Sequence, residues 1–382
     1  MQKRRKQIIY LVGTSTATRG GIGYVIGAYL SSELSSQFRL IHVVTHRDGS
    51  SLQKAWTYVK ALMRFILLRV TCGSGLVHIH SSSGPSFLRK ALFFLLGMGL
   101  GCRVIFQIHS GGFLDYYQSR GHAMRFLIRY VLKASDHVVV LTASWRKKID
   151  ELTGGKARIS VVGNPIDTLK YHPFQRDHKP GRRPHLLFLG ALIKNKGVYD
   201  IIDCIRLLKG LGVTVQVTLA GDRELDQVRL RSQELGVQDL IDLPGWVSEA
   251  TKLQLLKNCD LLLLPSYKEG LPLCVLEAMA VGLPVICSNA GGLGDLVNNG
   301  ENGFIMVPGD IETMANHIAM LVQDSVLRQQ IGQKNAKKVR DFYSILAIAQ
   351  QVGNLYGEAL SRPKRGYRGA WNRFRHLRQG SA

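Results

Sequence analysis

Two glutamates with seven residues between them are the clearest candidates for chemistry in this chain. They lie in the stretch PSYKEGLPLCVLEAMA, with Glu269 in a Gly- and Pro-containing loop and Glu277 in an apolar segment of helical composition. Glu269 could accept hydrogen bonds from sugar hydroxyls. Glu277 needs a partner, because an unpaired buried carboxylate is costly, and a ribose diol would satisfy it with two hydrogen bonds. The residues alone leave a second interpretation open, in which both glutamates form structural salt bridges.

The start of the helix that carries Glu277 is itself a candidate binding feature. Pro272 fits the first turn of a helix, so the helix is predicted to begin near Leu273. Free N–H groups and the positive end of the helix dipole would then face an anion beside Gly270 and Leu271.

Three other loops carry candidate residues directly after apolar runs. TATRGGIG holds Gly20 and Gly21, which let a ligand approach the backbone closely, although the dinucleotide pattern GxGxxG is not met. His109 ends the run RVIFQIH, and GALIKNKG holds Lys194 and Lys196, whose ammonium groups could stabilise phosphate charge. Each pattern also has an ordinary structural interpretation: a tight turn, a packed histidine or a solvated basic turn.

Apolar runs separated by helical segments must position these loops. The predicted strands are 8–13, 40–46, 76–80, 103–109, 137–142 and 159–164, then 185–190, 213–221, 240–245, 261–265 and 284–288. Strands that are apolar along their whole length are typical of parallel sheets covered by helices on both faces. The sequence therefore predicts an α/β fold with two tandem doubly wound parallel-sheet domains.

The domain boundaries follow from a break between the two series of strands. The stretch YHPFQRDHKPGRRP is polar, basic and Pro-containing, as linkers are. The predicted organisation is an N-terminal Rossmann-like domain at 1–170, a linker at 171–184 and a C-terminal Rossmann-like domain at 185–345. A closing helix at 346–360 and a basic tail at 361–382 follow. Ligands of such sheets bind beyond the carboxyl ends of the strands, so the site is expected in the cleft between the domains.

The segment EGLPLCVLEAMAVGLPVICSNAGGLGDLVNNGENGFIMVPGD at 269–310 strongly resembles retaining glycosyltransferases of the GT-B fold, of the family 4 (glycosyl transferases group 1) type. Glu-x7-Glu is that family's hallmark, and GLPVI, a Gly pair, Gly-Phe and Pro-Gly-Asp continue the match. The resemblance implies a GT-B arrangement of two domains facing a cleft. It also implies transfer of a sugar from a nucleotide-diphosphate sugar to an acceptor; that the acceptor is a lipid-linked glycan of cell-surface polysaccharide biosynthesis is a hypothesis from the basic segments described below.

The resemblance also implies roles for individual residues. Glu269 would contact the hydroxyls of the donor sugar, Glu277 the ribose and Lys196 the phosphates. The backbone of Gly270, Leu271 and Pro272 would lie near the sugar and diphosphate. Gly20 and Gly21 match the family's N-terminal glycine loop, and His109 matches a histidine on the acceptor side. The expected catalytic residues are His109, Glu269 and Lys196. Donor binding is expected from Gly20, Gly21, Lys194, Lys196, Glu269, Gly270, Leu271, Pro272 and Glu277.

One departure from the family pattern concerns the second cation. Family members commonly carry Arg directly after the glycine that ends the first strand of the second domain, and here that position is Ala191. Lys194 is the expected replacement, although an ammonium is not a planar guanidinium fork. The resemblance implies no cofactor and a metal-independent reaction, with the nucleotide sugar as substrate.

The net charge favours anionic partners. Lys and Arg number 50 against 27 Asp and Glu, a formal charge of +23. The stretch 51–70 has the composition of an interfacial amphipathic helix, and the tail 361–382 interleaves basic residues with aromatic ones, which suits an anionic leaflet. We expect a peripheral enzyme on the inner face of the cell membrane with no nucleic-acid partner. Two alternative roles stay open for the tail: binding of single-stranded nucleic acid, or solubilisation of the protein only.

Cysteine usage favours the cytoplasm, because the six cysteines lie mostly among apolar neighbours and form no CxxC pair. The apolar runs IIYLVG and ALFFLLGMGLGC are too short for a signal peptide and a membrane span.

Two other functions stay open at this point. A sugar-nucleotide epimerase of the same architecture would need acid and base carboxylates in the cleft, and a non-catalytic binding module would tolerate loss of Glu269 and Lys196.

Overall fold

The protein contains two parallel six-stranded sheets in a computed structural model that describes residues 6–73, 75–174 and 182–363. The first sheet has the order β2-β1-β3-β4-β5-β6, with strands β1 Ile8–Thr14, β2 Arg39–His46, β3 Leu76–Ser81, β4 Arg103–Ile108, β5 His137–Val140 and β6 Ile159–Val161. The second has the order β12-β11-β10-β7-β8-β9, with β7 His185–Leu189, β8 Gln216–Ala220, β9 Ile241–Gly245, β10 Leu261–Leu264, β11 Val285–Ser288 and β12 Phe304–Met306. The predicted pair of tandem doubly wound α/β domains is confirmed.

Helices connect the strands and flank both sheets. In the first half they are α1 Gly21–Ser31, α2 Leu34–Gln37, α3 Ser51–Cys72, α4 Pro85–Gly99, α5 Phe113–Gln118, α6 His122–Ala134 and α7 Ala143–Thr153. In the second half they are α8 Val198–Gly210, α9 Leu225–Glu234, α10 Glu249–Asn258, α11 Leu273–Ala280, α12 Leu293–Leu296, α13 Ile311–Gln323, α14 Ser325–Phe342 and α15 Ile345–Ser361. No helix within these described ranges combines the length and apolarity needed to cross a membrane.

The strands form because their side chains are buried on both faces. All four residues of Leu261–Leu264 are buried, as is every residue of β3 and β4. Full burial of one leucine side chain contributes about 1.5–3 kcal/mol. The strand β12 was not predicted, because three residues at a sheet edge give too short a pattern to recognise.

The last described helix returns to the first sheet. Ile348, Val352 and Leu355 of α15 lie in the same buried cluster as Ile9 and Leu11 of β1. The sequence predicted a closing helix at 346–360, and the structure has a helix at Ile345–Ser361. Its packing ties the end of the second half of the chain to the first domain.

The segment that connects the two sheets begins inside the hydrophobic core of the second domain. Tyr171, the first residue of the predicted linker, is fully buried and belongs to the cluster around β7 and β10. The rest of the predicted linker is described at 172–174 and 182–184.

Candidate active site

The cleft between the two sheets contains a cavity of about 940 Å³. Its walls include the segment 18–24 and His109 from the first domain, and Lys196 and the segment 269–274 from the second. These loops follow the carboxyl ends of strands, where parallel sheets of this type bind ligands. The structure therefore brings together most of the residues that the sequence singled out.

Glu269 lies at the cavity wall in an ion pair. It occupies the loop between β10 and α11, and its side chain is 7% exposed. Its Oε1 accepts hydrogen bonds from Lys196 Nζ at 2.5 Å and from Ser266 Oγ at 2.9 Å. The side chain of Lys196 is 28% exposed, so the lysine is the more open member of the pair. Two predicted catalytic residues thus form one unit.

Glu277 also has a protein partner. Its side chain on α11 is 4% exposed, and its Oε1 lies 2.6 Å from Nζ of Lys252 on α10. The sequence indicated that Glu277 needs a partner, and Lys252 is that partner here, as in the salt-bridge interpretation that the residues left open. A contact to ribose stays a prediction, and Lys252 adds a positive charge to the cavity wall beside it.

The surroundings of Lys252 hold it in place. Nζ lies 3.3 Å from Oε2 of Glu249 and 5.4 Å from the ring centroid of Tyr171. Burial raises the pKa of Glu277, and the charge of Lys252 opposes that rise. Burial would lower the pKa of Lys252, but the carboxylates of Glu277 and Glu249 together outweigh it and the pKa is raised. Sequence reasoning missed Lys252 because a lysine in an amphipathic helix is unremarkable by itself.

The N-terminus of α11 opens onto the cavity. The helix begins at Leu273, as predicted, with Pro272 as its N-cap and no side chain capping its first N–H groups. Leu271, Pro272 and Leu273 all line the cavity. Uncapped N–H groups and the positive end of a helix dipole favour a phosphate at this position.

The glycine loop of the first domain faces that helix start. Gly20 is the N-cap of α1 with φ of 131°, a conformation that favours glycine. A Cβ on Gly21 would lie 3.4 Å from Cδ1 of Leu273. The N-termini of α1 and α11 therefore approach each other across the cleft, as the predicted glycine loop requires.

His109 is half-buried in the cavity wall and contacts a second histidine, which is fully buried. Its Nε2 lies 3.0 Å from Nδ1 of His80. Burial lowers the pKa of His109 to about 3, so its ring is neutral near pH 7. Sequence reasoning missed His80, although LVHIH places His78 and His80 two residues apart, and therefore on one face of β3.

The two positions considered for a second phosphate-binding cation, residues 191 and 194, have different surroundings. Ala191 lines the cavity, whereas Lys194 is exposed on the short helical turn 194–196 and is not part of the cavity wall. The structure does not bring Lys194 to the other predicted donor-binding residues. Lys252 is the second lysine that lines the cavity together with Lys196.

Within the described ranges, no group of three or more His, Cys, Asp or Glu side chains is placed to hold a metal ion. Metal independence stays a prediction.

The two domains touch directly next to the site. Nδ2 of Asn164 donates to the carbonyl oxygen of Leu271 at 2.7 Å, and the guanidinium of Arg19 lies 4.2 Å from the ring centroid of Trp246. The backbones come closest at Gly111, where a Cβ would lie 2.2 Å from the carbonyl carbon of Glu269. The close approach of the two backbones thus requires a glycine at position 111, which sequence analysis did not single out.

Replacing Gly111 with alanine is expected to push the loop of Glu269 away from the first domain. Overpacking of this kind costs about 1–3 kcal/mol, so we expect sugar transfer to slow by about tenfold or more. Turnover and the radius of gyration from X-ray scattering measure the effect. Gly121→Ala is the matched control, because a Cβ there meets no atom within 4 Å and φ is −69°. A Gly111→Ala protein with full activity would contradict the argument.

Comparison with known proteins gives two family matches. Residues 173–338 match the family model described as "Glycosyl transferases group 1", and residues 24–170 match "Glycosyltransferase Family 4". The two matches together cover both sheets except for the first strand.

The chain is also similar to curated proteins and to solved structures. It is 29% identical over 250 residues to a glycogen synthase of Mycobacterium tuberculosis, covering 65% of this chain and 59% of the relative. It is 25% identical over 237 residues to the capsular polysaccharide biosynthesis glycosyltransferase CapM of Staphylococcus aureus, covering 59% and 62%. The match thus spans about 60% of the length of these relatives.

Among solved structures, a sucrose-phosphate synthase from Thermosynechococcus elongatus aligns with a TM-score of 0.80 at 18% identity, covering 93% of this chain and 100% of that one. Anabaena HepE in complex with UDP aligns with a TM-score of 0.74 at 16% identity, covering 92% and 99%. At these identities the structural likeness shows the fold.

Proposed function

The chain belongs to the GT-B glycosyltransferases of the family 4 type, and from this premise we propose that it transfers a sugar from a nucleotide-diphosphate sugar to a glycan acceptor with retention at the anomeric carbon. The observation that carries the proposal is the Lys196–Glu269 pair beside the uncapped start of α11. A cation and a helix N-terminus suit a leaving diphosphate, and a carboxylate suits sugar hydroxyls. Relatives named for capsular polysaccharide synthesis support an acceptor in cell-surface polysaccharide assembly.

The proposed donor lies across the second domain. Its diphosphate meets Lys196 and the N–H groups at the start of α11, and its sugar lies against Glu269 and the backbone of Gly270. The ribose lies near Glu277, where Lys252 shares the carboxylate. A complex of HepE with UDP, which has the same fold, supports a nucleotide in this cleft.

The proposed chemistry needs little covalent participation from the protein. The bond between the anomeric carbon and the diphosphate oxygen breaks while the acceptor hydroxyl attacks the same face of the sugar. The departing phosphate oxygen takes the acceptor proton, and Lys196 with the helix start stabilises the charge that develops. His109, neutral and half-buried, lines the first-domain side of the cavity, where the acceptor would enter.

We expect one member of a panel of nucleotide sugars to raise the melting temperature of the protein and then to serve as donor. A ligand that binds the folded state stabilises it in proportion to its affinity and concentration. Transfer from that donor should continue in EDTA, because Lys196 and α11 supply the positive charge, and proton NMR of the product should show the donor's anomeric configuration. Loss of transfer in EDTA with recovery on adding a divalent ion would contradict metal independence. Inversion of configuration would contradict retention.

A membrane surface is the proposed location of the acceptor. Helix α3 begins with a capping box between Ser50 and Gln53 and carries large exposed apolar side chains at Leu52, Trp56, Val59, Met63, Ile66, Leu67 and Val70. Their spacing of three, four and seven residues forms one stripe, as in helices that lie in a bilayer interface. The basic tail, also proposed to bind the anionic leaflet, lies beyond residue 363 and outside the described residues, except for 361–363.

Replacing Trp56 and Met63 together with serine is expected to weaken binding to anionic liposomes by roughly tenfold or more, because each side chain contributes apolar area to the bilayer. Liposome cosedimentation measures the partition. Leu211→Ser is the matched control. Leu211 is 62% exposed, which is close to the 59% of Trp56 and the 66% of Met63, but it lies in the second domain. Equal partitioning of all three proteins would contradict the role of α3.

A further inference from the structure

The histidine of the cavity wall is held from behind by a histidine that is not part of that wall. Nδ1 of His80 lies 3.0 Å from Nε2 of His109, and the planes of the two rings differ by 25°. His80 is 0% exposed, whereas His109 is half-buried and lines the cavity. The backbone N–H of His109 also donates to the carbonyl oxygen of Ser81, next to His80 at the end of β3. His80 can therefore act on a ligand only through His109.

Both rings of this pair are neutral near pH 7. Burial lowers the pKa of His109 to about 3. Burial also lowers the pKa of His80 well below its ordinary value, and the groups that add to this effect are His78, His109, His42 and Lys90. A neutral imidazole carries one N–H and one bare nitrogen. Since one ring donates to the other, the ring that accepts must carry its own proton on its other nitrogen.

The two possible arrangements differ in where that second proton lies. If Nδ1 of His80 donates, the second proton lies on Nδ1 of His109. If Nε2 of His109 donates, it lies on Nε2 of His80, which is buried and has no hydrogen-bond partner among the described residues. The first arrangement leaves a lone pair unpaired in the interior, and the second leaves an N–H unpaired there. Buried N–H groups without an acceptor are the rarer of the two, so the geometry favours donation by His80.

The adjacent polar side chain does not supply the acceptor that the second arrangement needs. Gln107 of β4 is the register partner of His80 and is fully buried. Its amide atoms form no hydrogen bond with His80. The side chain of Gln107 acts on Tyr29 and His78, and it is not among the groups that act on His80. The second proton therefore belongs on the ring that faces the cavity.

We propose that His80 is a positioning residue, which donates from Nδ1 to Nε2 of His109 and so fixes the proton of His109 on Nδ1. Which nitrogen of a histidine is protonated is set by the hydrogen bond that the other nitrogen makes. This inference rests on the proposed function and adds the role of His109: it donates a hydrogen bond to a substrate oxygen and has no free nitrogen to accept a proton. The proton of the acceptor hydroxyl then goes to the departing phosphate oxygen.

NMR spectra that correlate protons with the ring nitrogens of isotope-labelled histidine test the tautomer without any substrate. We expect a protonated Nδ1 and a bare Nε2 for His109, whose signals are identified by their loss in His109→Ala. In His80→Leu, His109 should become a mixture of both tautomers. A proton on Nε2 of His109 in the wild type overturns the proposal, and so does an unchanged His109 pattern in His80→Leu.

Kinetics of sugar transfer test whether this hydrogen bond matters for the reaction. His80→Leu should lower kcat/KM by roughly tenfold, the range for one lost hydrogen bond. His80→Asn should restore most of the loss, because its side-chain amide places a nitrogen donor where Nδ1 lies. The substrate whose KM rises in His80→Leu, nucleotide sugar or glycan, identifies the one that supplies the oxygen.

A buried histidine elsewhere in the same sheet provides the matched control. His137 on β5 is 2% exposed and is not part of the cavity wall, so His137→Leu makes the same substitution away from His109. We expect His137→Leu to keep the wild-type kcat/KM. Equal losses in His80→Leu and His137→Leu would show an effect of packing alone and overturn the positioning role.

A double variant tests whether His80 acts through His109. In the background of His109→Ala, His80→Leu should cost no further activity, because residues that act through one contact are not additive. Full additivity of the two losses overturns the proposal. If no nucleotide sugar serves as donor, the proposed function fails, and the position of the proton on His109 still supports or overturns the role of His80.

Discussion

Replacing Lys196 with methionine is expected to slow sugar transfer by about 10²–10³-fold, the usual cost of removing one group that stabilises developing charge in a transition state. The ammonium is the partly exposed member of its pair with Glu269 and faces the cavity beside the start of α11. Methionine keeps the length of the side chain but cannot hold the leaving diphosphate. Steady-state kinetics with the identified donor should show the loss chiefly in kcat.

Two further variants separate catalysis from stability at this pair. Lys194→Met removes a charge two residues away that is exposed and outside the cavity wall, so we expect it to keep most of the activity. Lys196→Met leaves Glu269 buried with Ser266 but without its cation, so its melting temperature should fall. The double variant Lys196→Met/Glu269→Gln should recover the melting temperature and stay inactive. Equal losses in Lys194→Met and Lys196→Met would instead show that general positive charge, not position, matters.

The sequence was sufficient to predict the fold because its signals are local. Fully apolar strands such as Leu261–Leu264 could belong only to a sheet covered on both faces, and Pro272 marked the start of α11 to the residue. The loops after such strands meet at one edge of a parallel sheet, so Gly20, His109 and Lys196 were predicted to share the cleft, and all three line the cavity.

What the sequence could not predict depends on contacts between distant residues. Lys252 neutralises Glu277 across 25 positions, and His80 orients His109 across 29. Gly111 looks like any loop glycine until the backbone of Glu269 is seen against it. In each case the residue type is ordinary, and the role arises from tertiary packing that brings two elements within a few ångströms.

These contacts change how the two glutamates are understood. The sequence left open whether these carboxylates bind a ligand or form salt bridges; in the folded chain each pairs with a lysine. A donor that binds here must therefore share a carboxylate with its lysine. Both lysines line the same cavity, so they can hold the acids in place and add positive charge near a diphosphate at once. The ion pairs thus fit a site built for an anionic ligand.

A Lys252→Met variant is expected to be destabilised by an amount that grows with pH. Breaking a buried ion pair by removing one partner costs about 3–5 kcal/mol. Burial already raises the pKa of Glu277 above its ordinary 4.5, and loss of Lys252, which opposes that rise, should raise it further. When the folded pKa of an acid is raised, the folded state binds more protons than the unfolded state, so stability falls as pH rises between the two pKa values. The free energy of unfolding, measured by urea denaturation from about pH 5 to about pH 8, should fall more steeply in the variant than in the wild type.

The carboxylate, not the lost lysine packing, must cause this pH dependence. Adding Glu277→Gln to Lys252→Met removes the titrating group and should flatten the difference from the wild type across the pH range, while the smaller cost of lost contacts to Tyr171 remains. Lys257→Met is a matched control, because Lys257 lies on the same helix and also stacks on an aromatic ring, at 4.5 Å from the centroid of Phe174. A pH-independent destabilisation of Lys252→Met would mean that Glu277 finds another cation or water, and its role as the anchor of a ribose would then need a different electrostatic basis.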